Sequence, residues 1–299
     1  MRIGLLASAA LALGLVPSAL AAAQPEPAAA AQGLRIESRY FTLPNGLRVV
    51  LSRDATVAVG TLAVYYGIGF RVEPRDRTGF AHLFEHLMFM GSENVPRGAF
   101  DRLLTGAGGV NNGSTRFDFT NYYEVAPANV LELMLWMEAD RMARPVIDQP
   151  VLTSQQGVVS NEVRVNVLNQ PYGGWPWIDL PMLANENWHN SHNFYGELDD
   201  LEAATVVVAR GFFDSFYRPN NAVLVGAGDI DYVATRTMIE RYFGPIPSGE
   251  PVVLPDISEP RQTQEKFRVR EDPLAPRPAY SVGYHMPERG SPEWYAMGL

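Results

Sequence analysis

No cysteine occurs among the 299 residues of this chain. Disulfide frameworks, thiolate zinc sites and cysteine nucleophiles are thereby excluded, and any metal has to be held by histidine and carboxylate. Histidine is scarce as well: His82, His86, His189, His192 and His285 are the five. Lysine is represented by Lys266 alone. Acidic residues outnumber basic ones 33 to 24, the net charge is −9 and no basic run occurs. The electrostatic footprint of a nucleic-acid binder is therefore missing, and no nucleic-acid partner is expected. No segment after the leader is long and apolar enough to span a bilayer, which takes roughly 20 residues. No stable membrane anchor is expected.

What is present belongs to a globular protein: 46% hydrophobic and 19% charged residues, in a length that suits one large domain or two ordinary ones. Residues 1–21 read as a signal peptide. Arg2 is a short positive start, Ile3 to Val16 an apolar stretch, and Ala19-Leu20-Ala21 a small-x-small cleavage site. An uncleaved anchor is the alternative. Residues 22–33 are a low-complexity linker. An export leader followed by no cysteine argues against a lipoprotein, and the expected location is periplasmic, with secretion as the other outcome.

The most informative stretch is His82-Leu83-Phe84-Glu85-His86, set in an otherwise apolar segment. In a helix His82 and His86 lie one turn apart on one face, and Glu85 shares it. The apolar surroundings predict a buried helix with Thr78 as its N-cap and Gly91 past its end. Two buried imidazoles and a carboxylate need a partner to offset their lost hydration. A divalent metal supplies one, and H-x-x-E-H is the inverted form of the metalloprotease signature. The competing reading makes both histidines hydrogen-bonded core residues. A third ligand separates the two, because a catalytic zinc takes three protein ligands and leaves one position open.

Around this helix the pattern is mixed. Ile36 to Leu43 and Leu47 to Leu51 flank Pro44-Asn45-Gly46, a hairpin signal. Thr56 to Phe70 reads as a buried strand whose Gly67 and Gly69 allow close backbone approach. Val110 to Thr115, Phe117 to Ala126 and Asn221 to Ala227 read as strands. Helices are expected at Phe100 to Thr105, Ala128 to Met142, Val151 to Leu168, Thr205 to Tyr217 and Asp231 to Phe243. Five prolines between 245 and 262 mark a boundary or linker. Two more strands are expected near 266–271 and 279–285, and the chain stops as a helix begins, as a truncated sequence would. In the helix from Val151, Glu162 has apolar helical neighbours that admit an inward-facing reading, but taken alone it reads more simply as a surface carboxylate or a partner of Arg164.

With Glu162 in view, the chain resembles the pitrilysin family of zinc peptidases, which includes insulin-degrading enzyme and the mitochondrial processing peptidase. A Glu at about this separation from the second histidine completes that family's zinc site. Further segments carry the resemblance, in the family's order and across nearly all of residues 36–285. Gly108-Gly109-Val110-Asn111-Asn112-Gly113-Ser114-Thr115 resembles G-G-x-x-N-A-x-T, with Gly113 where Ala is usual. Glu138-Ala139-Asp140-Arg141-Met142 resembles E-x-D-R-M. Asn169 to Gly173 resembles N-x-P-Y-G, Tyr217 to Ala222 resembles Y-x-P-x-N-A, and His192 to Gly196 resembles an H-P-Y-G turn.

The resemblance implies an α+β fold, a two-layer arrangement of a mostly antiparallel sheet packed by helices. It implies one Zn2+ per chain held by His82, His86 and Glu162, with Glu85 as general base. Asn112, Gly113 and Ser114 would lie on an edge strand that pairs with an extended peptide substrate; for Asn112, turn chemistry beside Gly113 remains open. Gln155 stands where some members carry a supporting Glu, and Asp140 with Arg141 reads as a structural ion pair. His189 and His192 form an H-x-x-H that offers a second metal site or none. The metal-binding peptidase domain is expected over 34–250, and a linker with the start of a second, similar domain over 251–299. Family members close two halves around a peptide, so a second peptidase half or a homo-oligomer is the expected partner. Three alternatives compete: a non-catalytic partner subunit, an S-ribosylhomocysteine lyase, which the missing cysteine excludes, and a purely structural module.

Overall fold

The computed structural model describes residues 36–298; the leader and the linker expected over 1–33 lie outside them. The strands are β1 (Arg39–Thr42), β2 (Arg48–Arg53), β3 (Val59–Tyr66), β4 (Val110–Thr115), β5 (Thr120–Pro127) and β6 (Ala222–Gly228). The helices are α1 (Phe80–Leu87), α2 (Ala99–Gly106), α3 (Leu131–Ala143), α4 (Gln149–Val163), α5 (Asp179–Ala184), α6 (Trp188–Ser191), α7 (Leu198–Glu202), α8 (Val206–Phe216), α9 (Tyr232–Phe243) and α10 (Pro292–Met297). No helix among the described residues is long and apolar enough to cross a membrane.

One six-stranded sheet runs in the order β1-β2-β6-β3-β5-β4. Every pairing is antiparallel except β2 with β6. This is the expected mostly antiparallel α+β architecture. Side chains alternate faces along a strand, so register assigns the buried face. Leu62 lies opposite Gly226 and Glu124, Val64 opposite Leu224 and Tyr122. Leu62, Val64, Tyr122 and Leu224 join Val49 and Leu51 in the core, and helices supply Phe80, Phe84, Met134, Leu135 and Phe212. Helices α1 and α3 both pack on this sheet, and α4 packs on α1. The Asn-Gly hairpin forms as predicted between β1 and β2, with Gly46 at φ +86°.

Several elements differ from their sequence-based boundaries for identifiable reasons. The strand predicted from Thr56 stops at Tyr66, because Gly69 lies against the next hairpin: a Cβ there would come within 2.2 Å of Arg116 O. Helix α4 starts earlier than predicted, at Gln149, because the Asp148 side chain accepts from Val151 N at 2.9 Å and Pro150 suits the first turn. The α-helical part ends at Val163 and gives way to a π-helical turn over Arg164–Leu168. Thr78 does not cap α1. Gly79 holds the cap position at φ +80°, and the buried Glu73 carboxylate accepts from Gly79 N (2.9 Å) and Ala81 N (2.5 Å) instead.

The strands predicted near 266–271 and 279–285 are not formed. Phe267, Val269, Tyr280, Val282 and Tyr284 keep the two-residue alternation, yet all are exposed. Alternation marks a face that would bury well. A strand forms only where a neighbouring edge takes its backbone groups, and here the segment crosses residues 172–190 through side-chain contacts such as Tyr172 N to Asp272 and Arg270 to Asp179.

The expected Asp140–Arg141 pair is also replaced. Asp140 accepts from Ser92 Oγ, Asn94 N and Asn94 Nδ2 at 2.5, 2.9 and 2.6 Å. Arg141 turns into the core, pairing with Glu138 and, at 3.4 Å, with Glu124. Adjacent helical positions face about 100° apart, so only one of the two could join a buried pair. Two buried carboxylates share one guanidinium. Burial, and then the Glu138 charge, push the Glu124 carboxyl well above the usual carboxylate range, so it keeps its proton where an unfolded chain has lost it. The native state then binds more protons than the unfolded one, and stability falls as pH rises from about 4.3, the ordinary Glu value, toward the folded one. Glu124→Gln is expected to flatten that fall. Melting temperatures from pH 5 to 9 check it, and equal slopes in both proteins would contradict it.

Candidate metal centre

Helix α1 delivers His82 and His86 one turn apart, as the spacing predicts. The C-terminal turn of α4 delivers Glu162 against them, because the two helices pack together. His86 Nε2 stands 3.3 Å from Glu162 Oε2, and His82 Nε2 stands 3.7 Å from Glu162 Oε1. One ligand atom from each of the three residues lies within 4.8 Å of the others. Among the described residues this is the only such group of histidines and carboxylates. Bonds of about 2.0–2.2 Å in a tetrahedral site put ligand atoms about 3.4 Å apart, so the arrangement suits zinc with little movement.

Electrostatics prepare the same donors. Burial, and then the His86 charge beside it, push the His82 imidazole below the ordinary histidine range. A neutral ring is the form that binds a metal. The His86 hydrogen bond, with further help from His82 and Asn166, holds the Glu162 carboxyl below its ordinary range despite partial burial. It is therefore anionic at neutral pH. His82 Nδ1 has no hydrogen-bond partner among the described residues, and the edge of Tyr195 packs on the ring at 5.3 Å between centroids.

Glu85 is half-buried on the same helix, and its Oε2 accepts from Thr115 Oγ1 at 2.6 Å. β4, which ends at Thr115, is an edge strand of the sheet among the described residues. Register divides the segment singled out in the sequence. Gly113 and Thr115 pair with Tyr122 and Thr120, on the face toward α1, where the Tyr122 hydroxyl donates to Phe84 O. Asn112 and Ser114 point to the other face, where Ser114 Oγ donates to Asn121 Oδ1. Asn112 Oδ1 accepts from Gly113 N at 2.9 Å. Where Ala is usual, a Cβ on Gly113 would press on Phe89 at 3.1 Å and Tyr122 at 3.2 Å.

Gln155 is buried one face along α4, and its amide donates to Met90 Sδ at 3.0 Å rather than to a ligand. His189 and His192 do not converge: His189 Nδ1 contacts Arg71 O, whereas His192 stacks on Trp188 and turns its Nε2 toward Glu73 at 3.8 Å.

Three residues near the centre carried no assignment in the sequence. Thr115 lay inside a quoted motif without a role. Tyr195 lay in the His192–Gly196 turn; burial, and then the charges of Glu162 and Glu85, raise its phenol above the ordinary range, so it stays protonated beside both carboxylates. Glu73, which secures the start of α1, precedes the motif in a segment with no distinguishing pattern. The turn that carries Tyr195 is held against α1 by close backbone contact at Gly79 and by Thr78, whose hydroxyl accepts from Glu197 N and donates to Asp200.

Comparison with known proteins adds an independent line. The family model described as Insulinase (Peptidase family M16) matches residues 48–172, and that described as Peptidase M16 inactive domain matches residues 204–299. The zinc protease PqqE of Helicobacter pylori is 26% identical over 278 residues, which is 90% of this chain and 57% of that protein. The crystal structure of a protease from Helicobacter pylori superposes with a TM-score of 0.73 at 26% identity, over 78% of this chain and 56% of the other. The periplasmic protease PqqL from Escherichia coli shares the fold, with a TM-score of 0.66 at 22% identity, over 74% of this chain and 26% of that one. The chain spans about half the length of the curated relatives it matches.

Proposed function

Because this chain belongs to the insulinase family of peptidases, we propose that it is a zinc-dependent endopeptidase acting on oligopeptides or small unfolded proteins. The observation that carries this reading is the convergence of both Nε2 atoms of the H-x-x-E-H helix on Glu162 of α4. His82, His86 and Glu162 would hold one zinc ion per chain. Bound there, such an ion would supply Lewis acidity, lowering the pKa of water toward about 7 and polarising a carbonyl. Glu85 accepts the proton of the attacking water and later passes it to the leaving amine nitrogen.

The extended substrate adds to the edge strand β4, in the Asn112–Gly113–Ser114 segment. Main-chain hydrogen bonds there supply affinity without demanding a particular sequence. Asn112 Oδ1 has to leave Gly113 N before that amide can pair with a peptide. Gln155 supports the centre through packing beside α1. The leader read from residues 1–21 favours a periplasmic location.

A second reading is that this chain is one half of a two-part peptidase. Similarity to a protein named as a subunit, the mitochondrial-processing peptidase subunit beta of Saccharomyces cerevisiae, 22% identical over 73% of this chain, favours this. In that arrangement the zinc centre is complete, but peptide capture depends on a second peptidase half or a second copy.

Metal content tests the shared premise of both. After zinc loading and dialysis, the wild-type chain is expected to retain about one zinc, while Glu162→Gln, with one of three protein ligands weakened, retains far less. A wild-type chain free of zinc, or a variant that binds it equally well, would remove the basis of the proposal.

A further inference from the structure

We propose that Thr115 is a positioning residue for Glu85, and that the strand offered to the substrate is thereby also the strand that aims the base. The inference rests on the metallopeptidase reading above. Its observation is the 2.6 Å contact from Thr115 Oγ1 to Glu85 Oε2. That length is typical of a hydroxyl donating to a carboxylate, the stronger, charge-assisted kind of hydrogen bond. A hydroxyl has one proton to give. The second acceptor in reach, Ala81 O, lies at 3.4 Å, so Glu85 takes it.

Glu85 needs such a partner. It is only half-buried, its side chain has three rotatable bonds, and the Thr115 bond is the only hydrogen bond its carboxylate makes among the described residues. The neighbouring histidines are fixed by the helix and by each other; nothing else holds the carboxylate. Catalytic geometry tolerates little misplacement, because the reacting atoms have to meet within a fraction of an ångström.

Strand geometry explains why this residue performs the task. Thr115 is the last residue of β4 and pairs with Thr120, and the two-residue period turns its side chain to the α1 face. Asn112 and Ser114, with the opposite parity, cannot reach Glu85. A peptide that pairs with β4 is placed in register by the same backbone that carries the hydroxyl. The scissile bond and the base are then referred to one strand, and a shift of β4 moves both together.

The test uses the zinc-loaded chain and two matched probes with the same peptide side chains. One carries a hydroxamate, whose N–O–H donates to the base; the other carries a thiol, which binds zinc and needs no base. Thr115→Val keeps size and strand preference and removes the hydroxyl. It is expected to weaken the hydroxamate about tenfold, the worth of one charge-assisted hydrogen bond, and to leave the thiol within about twofold. Thr115→Ser restores hydroxamate binding. Unchanged hydroxamate affinity in Thr115→Val, or equal losses for both probes, would overturn the positioning role, equal losses marking a merely structural tether. A wild-type chain that binds zinc but shows no preference lost in Glu85→Gln would overturn it as well, with the metal centre intact. Failure of the wild-type chain to take up zinc would remove the metallopeptidase reading and Thr115's role with it.

Discussion

Glu85→Gln is expected to keep its zinc and to lose about 10²–10⁴ in turnover, the usual contribution of a positioned general base. The substitution preserves the volume and the ability to accept from Thr115 Oγ1. It removes the charge that would draw a proton from water. Since His82, His86 and Glu162 are untouched, zinc stoichiometry should match wild type. The measurement is hydrolysis of quenched fluorescent oligopeptides beside metal analysis of the same samples. Full activity in the variant would refute the assignment of Glu85. If the wild-type chain holds zinc yet cleaves nothing until a second half is added, the two-part reading is favoured, and the same variant should stay inactive in the reconstituted pair.

The second large effect is on stability. Arg141→Met is expected to destabilise the domain by about 3–5 kcal/mol, the cost of breaking a buried ion pair by removing one partner. Arg141 is almost fully buried between Glu124 and Glu138, with its guanidinium 4.5 Å from the Tyr122 ring centroid and 4.6 Å from that of Phe100. Its removal leaves Glu138 in the core with no cation to face. The companion change Glu138→Gln in the Arg141→Met background should recover part of the loss, because it takes away the stranded acid. Urea unfolding of the three proteins reads this directly. An Arg141→Met chain as stable as wild type would show that the network is open to water. Tyr122 is the link to the centre: its ring lies under Arg141, and its hydroxyl reaches Phe84 O one position before Glu85. A sagging network would therefore disturb α1 as well as the core.

What was legible in the sequence follows from local repetition. The i, i+4 histidines depend on 3.6 residues per turn, so a short string of letters suffices to put both rings on one face. The Asn-Gly hairpin, the six strands and helices α1–α4, α8 and α9 follow from turn chemistry and from apolar periods that local sterics enforce, whereas the short helices α5, α6 and α7 were not legible. Glu162 became visible only through its separation from His86 in a known pattern. Nothing within α4 itself distinguishes it from a surface acid, and its apolar helical neighbour Val158 proves to be exposed.

Tertiary structure decided the rest. Which acid meets Arg141 depended on where α3 lies over the sheet, and the adjacent Asp140 was drawn off by Ser92 and Asn94. The extended segments after 262 show the limit of periodicity, since their alternation is correct for a strand but no edge is beside them. The bond from Thr115 to Glu85 joins residues thirty positions apart, and it exists because β4 ends where α1 passes. Local sequence thus determined the helix that presents His82, Glu85 and His86 together. Packing of α4 and β4 against that helix determined which carboxylate faces the histidines and which hydroxyl meets Glu85, because contacts between distant segments depend on how whole elements come together.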